Sequence, residues 1–217
     1  MAASYPDAPA SLHALQERFP AQQFSRRTRL HSAGEKATHV YLVESGTTKI
    51  SKISYTRQPL LSLVHSGELW GEMLHSGNDI WSTSAETATV TKLHKFPARD
   101  FQRSVAKDAK LMGWVVEQLR ERVKRIERQL ELMHSCRLEQ RLLLTLADLA
   151  ERANGTGADG RVEIPLTQGE MASMVGSTRE TTSTILNLFE RKGWIELRRG
   201  AVHVASAELL RSVAEEP

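Results

Sequence analysis

Hydrophobic and polar positions change their period along the 217-residue chain, and each period predicts a different architecture. Over the first hundred residues the apolar positions come in short runs. His39-Val-Tyr-Leu-Val43 is β-branched and aromatic, Glu44-Ser-Gly46 supplies turn chemistry, and Thr47 to Ile53 resumes the extended pattern. Leu60 to Val64 is closed by Ser66-Gly67, and Thr87 to Phe96 stops at Pro97. Short runs of this kind with closely spaced turn residues predict a small antiparallel sandwich or barrel.

From about Lys107 the period becomes helical. Met112, Val116, Leu119, Val123, Ile126, Leu130 and Met133 follow 4,3 spacing over three heptads, separated by Glu, Arg and Lys. A narrow apolar seam on a long charged helix is the pattern of a two-stranded coiled coil, because a helix lying on its own core carries a wider stripe. The seam predicts a homodimer. A second helix is expected from Leu138 to Arg152, followed by the glycine-rich loop Asn154 to Gly160. The expected organisation is therefore residues 1–106, a dimerisation helix over 107–135, and a compact domain over 136–217.

Leu166 to Lys192 is the most informative segment. Thr167 and Glu170 form a capping-box pattern before a short helix carrying Met171, Met174 and Val175. Gly176 suits the tight turn that ends it, and Ala172 is small enough for a close helix crossing. Thr178 then caps a second helix with Ile185, Leu186 and Phe189 facing inward. This is a helix-turn-helix pattern, in which the start of the second helix enters the DNA major groove. Arg179 and Glu180 are placed to meet guanine and cytosine edges. The hydroxyls of Ser177, Thr178 and Thr182 are placed to contact phosphates, which set register. Trp194 to Val204 alternates around Arg198-Arg199-Gly200 and predicts a wing hairpin whose basic tip lies along the DNA backbone.

Composition adds little. The net charge of +3 and pI near 9.1 permit nucleic-acid binding without arguing for it. No run approaches the ~18 apolar residues of a membrane span, the start of the chain lacks a signal-peptide pattern, and a cytoplasmic location follows as the default. Cys136 is the only cysteine, so neither an internal disulfide nor a four-thiolate cluster is available. His31, His39, His65, His75 and His94 form no metal-type pair, and no metal is expected. No nucleophile–base set, Walker loop or paired-carboxylate motif stands out, which argues against an enzyme.

The Leu166-to-Lys192 motif closely resembles the DNA-binding signature of the cyclic-AMP receptor protein/FNR family. Leu30 to Gly46, with Gly34 and Tyr41-Leu-Val43, resembles the opening of that family's β-roll. Gly67-Glu-Leu-Trp-Gly-Glu72 resembles the start of its phosphate-binding cassette. The resemblance spans nearly the whole chain. It implies an α+β bacterial transcription factor: an N-terminal antiparallel β-roll of jelly-roll type, a long dimerisation helix and a C-terminal winged helix-turn-helix. It implies base reading by Arg179 and Glu180, and places Thr184 at a third reading position where the family often has Arg. Thr167, Arg198 and Arg199 join the implied DNA contacts, on an inverted-repeat operator. The Asn154-to-Gly160 loop lies where activating members contact RNA polymerase.

The sensor departs from the pattern. Cyclic-AMP-binding members carry an Arg-Ser or Arg-Thr pair that grips the cyclic phosphate, and the aligned pair here is Trp81-Ser82, followed by Thr83. No Arg lies between Arg57 and Arg99. A buried phosphodiester without a cation carries a desolvation cost that hydroxyls offset poorly. The positions that would meet adenine are Ile126 and Glu127 instead of two hydroxyl residues. The expectation is an effector other than cyclic AMP, or none, with no required cofactor. Gly71, Glu72, Trp81, Ser82, Thr83, Ile126 and Glu127 are the candidate effector contacts, Trp81 by stacking. A small-molecule-sensing roll (another nucleotide, haem with His75 as ligand, or another effector) with DNA contact secondary is the alternative.

Overall fold

The computed structural model describes residues 8–52, 59–71, 80–153 and 160–215. The chain divides into two compact units, Met1–Lys124 and Arg125–Pro217.

The first unit opens with helix α1 (Ala10–Arg18) and continues through strands β1 (Gln22–Phe24), β2 (Arg29–His31), β3 (His39–Ser45), β4 (Thr48–Ser51), β5 (Leu60–Val64), β6 (Leu69–Trp70), β7 (Ser84–Thr87) and β8 (Thr91–Pro97). They form two antiparallel four-stranded sheets, ordered β1-β8-β3-β6 and β2-β7-β4-β5. This is the expected roll.

The period-2 alternation of β3 builds two cores at once. Tyr41 and Val43 pack with Ile50, Trp70, Trp81 and Leu93. Val40 and Leu42 pack on the opposite face of β3 with Leu12 and Leu15 of α1, and with Phe101 and Val105 of α2 (Ala98–Lys107). Each such apolar side chain, fully buried, contributes about 1.5–3 kcal/mol of transfer free energy. The two helices replace strand or loop expected in the first hundred residues. Each buries only two apolar side chains, one turn apart, which is too short a pattern to announce a helix.

Helix α3 (Ala109–Ser135) runs 27 residues, about 40 Å at 1.5 Å per residue. The boundary between units falls inside it, between Lys124 and Arg125, rather than at residues 106/107 and 135/136. Packing explains the difference. Leu111 and Val115 are fully buried in the α1–α2 core, so the first half of the helix belongs to the roll.

The second unit takes the rest of α3, then α4 (Leu138–Arg152), β9 (Val162–Ile164), α5 (Gln168–Met174), α6 (Arg179–Arg191), β10 (Ile195–Arg198), β11 (Ala201–Val204) and α7 (Ala207–Glu215). The expected hairpin β10–β11 gains β9 as a third strand, in the order β10-β11-β9. The terminal α7 was not anticipated. It buries Leu210 and Ala214, and its Arg211 donates to Asp148 at 2.6 Å and to Glu151 at 2.7 Å on α4.

Candidate nucleic-acid interface

The helix-turn-helix is assembled by local chemistry legible in the sequence. Thr167 Oγ1 accepts from the Glu170 amide at 3.2 Å, while Glu170 Oε2 accepts from the Thr167 amide at 2.8 Å, closing the capping box of α5. Gly176 adopts φ +67° in the turn, a conformation that most side chains resist. The Ser177 amide donates to the Ala172 carbonyl at 2.9 Å, holding the turn shut over the small Ala172. Thr178 Oγ1 then accepts from the Thr181 amide at 3.2 Å and starts α6.

Helix α6 buries Ile185, Leu186 and Phe189 and exposes Arg179 and Glu180 at its first turn. Arg179 forms no salt bridge among the described residues, so its guanidinium is available to an external acceptor. Its aliphatic stem passes 3.8 Å from where a β-carbon on Gly169 would stand. Arg179 also borders a cleft of about 390 Å³, with Thr167, Gly169, Arg198 and Gly200 on its other walls.

One expected phosphate contact is overturned. Thr182 is 0% exposed and lies on the packed face of α6, because it is three residues before Ile185 and four before Leu186 on the same stripe. Its hydroxyl cannot reach a phosphate from there. Ser177 is half-buried and Thr178 exposed at the turn, while Thr167 is exposed with its hydroxyl engaged in the cap. Thr184 is exposed, and its hydroxyl donates to the Glu180 carbonyl at 3.1 Å.

The exposed face of α6 continues through Asn187 and Arg191, beyond the residues that the helix-turn-helix pattern singles out. The spacing from Glu180 to Thr184, Asn187 and Arg191 is the helical 4,3,4 step, and following the polar residues at that step would have found them.

The wing is fastened to α6 by the Leu197 amide, which donates to Glu190 Oε1 at 2.7 Å. Its two arginines differ. Arg198 Nε donates to Glu196 Oε1 at 2.7 Å, and this bond holds the Glu196 carboxyl below the usual carboxylate range. Part of the Arg198 charge is therefore matched within the hairpin. Arg199, at the tip, is exposed.

The heptad seam stands open on α3. Val116, Val123, Ile126 and Leu130 are each 51–54% exposed, and Met112 and Met133 are exposed as well. Leu119 departs from the set, because it is partly buried against the α1–α2 core. Glu127 is exposed beside Ile126 on the same helix.

Within the roll, Trp81 is buried at 4% exposure. The expected open stacking face is taken: the His31 ring lies 3.7 Å from it at an interplanar angle of 14°. Tyr41 stacks on Trp70 at 4.7 Å, and the Trp70 indole N–H donates to His31 Nε2 at 3.3 Å. Burial is the main reason the His31 pKa falls to about 4, so this imidazole is neutral near pH 7. Burial likewise pushes the Tyr41 phenol up to about 12. Gly71 packs so closely on β3 that a β-carbon would stand 3.1 Å from Val40 Cα, a reason of packing for the glycine. Ser82 is exposed and Thr83 half-buried. Glu72, His75 and the loop 154–159 lie outside the described residues. Among the described residues no group of three or more His, Cys, Asp or Glu side chains is placed to hold a metal, and no helix is long and apolar enough to cross a membrane.

Comparison with known proteins follows the same division. Residues 21–108 match the cyclic nucleotide-binding domain family, and residues 140–213 the Crp-like helix-turn-helix domain family. The chain is 28% identical over 210 residues to a CRP-like cAMP-activated global transcriptional regulator of Mycobacterium tuberculosis, covering 93% of this chain and 91% of that protein. It is 27% identical over 177 residues to the transcriptional regulator SdrP of Thermus thermophilus, covering 81% and 83% respectively. Among solved structures, FixK2 from Bradyrhizobium japonicum matches with a TM-score of 0.74 at 17% identity, over 91% of this chain and 98% of that one. The c-di-GMP responsive global regulator CLP of Xanthomonas campestris matches with a TM-score of 0.73 at 23% identity, over 90% and 98%.

Proposed function

The chain belongs to the Crp/Fnr family of transcriptional regulators, and from that premise we propose that it acts as a homodimer reading an inverted-repeat operator without help from cyclic AMP. The observation that carries the DNA reading is the start of α6, where Arg179 and Glu180 stand exposed on a helix whose cap, turn and buried face are complete. Arg179 donates to guanine O6 and N7, and Glu180 accepts from cytosine N4, so a G·C pair anchors each half-site. Ser177, Thr178 and Arg199 supply backbone contacts that fix register. Half-sites lie about one helical turn apart, matching the two-fold axis of the dimer.

Dimerisation is supported by the open seam from Met112 to Met133, since four side chains at roughly half exposure on one face of a helix leave apolar area that a second copy covers. Independence from cyclic AMP is supported by the position that aligns with the family's phosphate-binding arginine. Trp81 there is part of the roll's core, and its neighbour His31 is neutral near pH 7, so neither offers a cation to a phosphodiester. The roll's match to the cyclic nucleotide-binding domain family supports a second reading, a sensor for a different effector. RNA polymerase is the expected protein partner once the dimer is seated on DNA.

Selection from a randomised inverted-repeat pool with purified protein tests the proposal. Enrichment of a palindrome with an invariant G·C pair in each arm is expected. Binding that competitor DNA removes equally from every sequence would overturn it.

A further inference from the structure

Thr184 stands at the position where the family often has Arg, and it cannot repeat the bidentate donation that an arginine makes to guanine. What it offers instead follows from its own geometry. Its hydroxyl hydrogen is committed to the Glu180 carbonyl at 3.1 Å, the preceding turn of α6. Two groups remain on this exposed side chain: the γ-methyl and an oxygen lone pair that only accepts. Among the four base pairs, only those containing thymine present a methyl group in the major groove, and the adenine paired with it presents an N6 donor beside that methyl. Guanine presents two acceptors, which an acceptor-only oxygen repels. Cytosine presents a donor without the methyl.

Resting on the DNA-reading proposal above, we infer that Thr184 is a specificity-determining residue that selects a T·A pair one step from the G·C pair read by Arg179 and Glu180. The thymine methyl packs on the Thr184 γ-methyl, and the adenine amino group donates to Oγ1. The surroundings agree with a weak, apolar reader at this site. Thr184 lies on the exposed 4,3,4 row between Glu180 and Asn187, with no basic side chain on that row before Arg191. The second base of the half-site is thus recognised by shape and a methyl contact, not by charge.

The experiment is a binding titration at fixed salt with the palindrome selected by the wild-type protein, its candidate thymine replaced by deoxyuridine in one half-site. Deoxyuridine removes the methyl and nothing else. Wild-type affinity falls about fourfold, the worth of roughly one buried methyl. Thr184→Ser, which keeps the hydroxyl and loses the methyl, binds thymine and uracil equally. Thr184→Val keeps a methyl and still prefers thymine, and Thr184→Arg shifts selection at that pair toward G·C. A selected palindrome with no preference for T·A beside its G·C pair overturns the inference while leaving the DNA-reading proposal intact. So does a Thr184→Ser protein as sensitive to uracil as the wild type. A wild-type protein that selects no palindrome overturns the DNA-reading proposal and this inference with it.

Discussion

The side-chain amide of Gln129 donates to the backbone carbonyl of Met174 at 2.8 Å, joining the last turns of α3 to the end of α5. Carbonyls at a helix C-terminus have no partner within the helix, so this bond satisfies one that the short α5 leaves open. It also ties the part of α3 that lies in the second unit to the helix-turn-helix. Gln129→Ala is expected to cost about 1 kcal/mol, the usual worth of one such bond, in the urea unfolding of the second unit's transition. An unchanged midpoint would show that the contact carries no weight.

The seam makes a prediction about assembly. Ile126 and Val123 are exposed on the protomer, so a charged substitution there leaves the protomer's own packing untouched. Ile126→Glu combined with Val123→Glu converts the dimer to a folded monomer in sedimentation velocity, with the circular dichroism of the wild type retained. Operator affinity falls with it, because two half-sites are no longer engaged together. Leu119→Glu is different: that side chain is partly buried in the α1–α2 core, and the substitution destabilises the roll itself.

Arginine roles separate by how their loss is distributed over sequences. Arg179→Ala costs about 1–3 kcal/mol on the selected operator and relaxes discrimination at the G·C pair. Arg199→Ala weakens binding to all sequences alike and lowers the salt slope of the titration by about 1 per half-site. Arg198→Ala has the smaller backbone effect, since Glu196 already neutralises part of that charge within the wing.

His31 ties the roll's stability to pH. Its pKa in the folded roll is about 4, below the ordinary 6.5, because burial opposes the charged form; Glu35 works against the shift and Arg29 with it. The unfolded chain takes up the proton first as pH falls, so stability present above pH 6.5 is lost progressively down to about pH 4. Wild-type protein is expected to lose up to roughly 3 kcal/mol more than His31→Gln over that window in urea unfolding. Glutamine keeps an acceptor for the Trp70 indole. Parallel pH profiles for the two proteins would contradict the assignment.

The helix-turn-helix was legible because its determinants are local. Thr167, Glu170, Gly176 and Thr178 each act within four residues of themselves, and the structure shows every one of those caps and turns in place. The exposed apolar face of α3 was legible for the same reason, except at Leu119, which packs partly against the α1–α2 core. Thr182 is the exception on α6, because a hydroxyl beside Arg179 and Glu180 suggests the DNA face, whereas helical phase puts it one turn from Leu186 on the buried one. The short helices α1, α2 and α7 stayed hidden because each is fixed by two apolar anchors that meet distant residues. The His31–Trp81 stack joins β2 to the residues before β7, fifty positions apart, and no spacing rule brings those two together.

The decisive measurement is a salt-controlled titration of the purified protein, free of added ligand, against its selected palindrome and a scrambled control, repeated with saturating cyclic AMP. Tight binding of a dimer to the palindrome alone, with the same affinity in both titrations, is the result expected from Arg179 and Glu180 on α6 and a core tryptophan at position 81. Selective binding that appears only when cyclic AMP is added would contradict it.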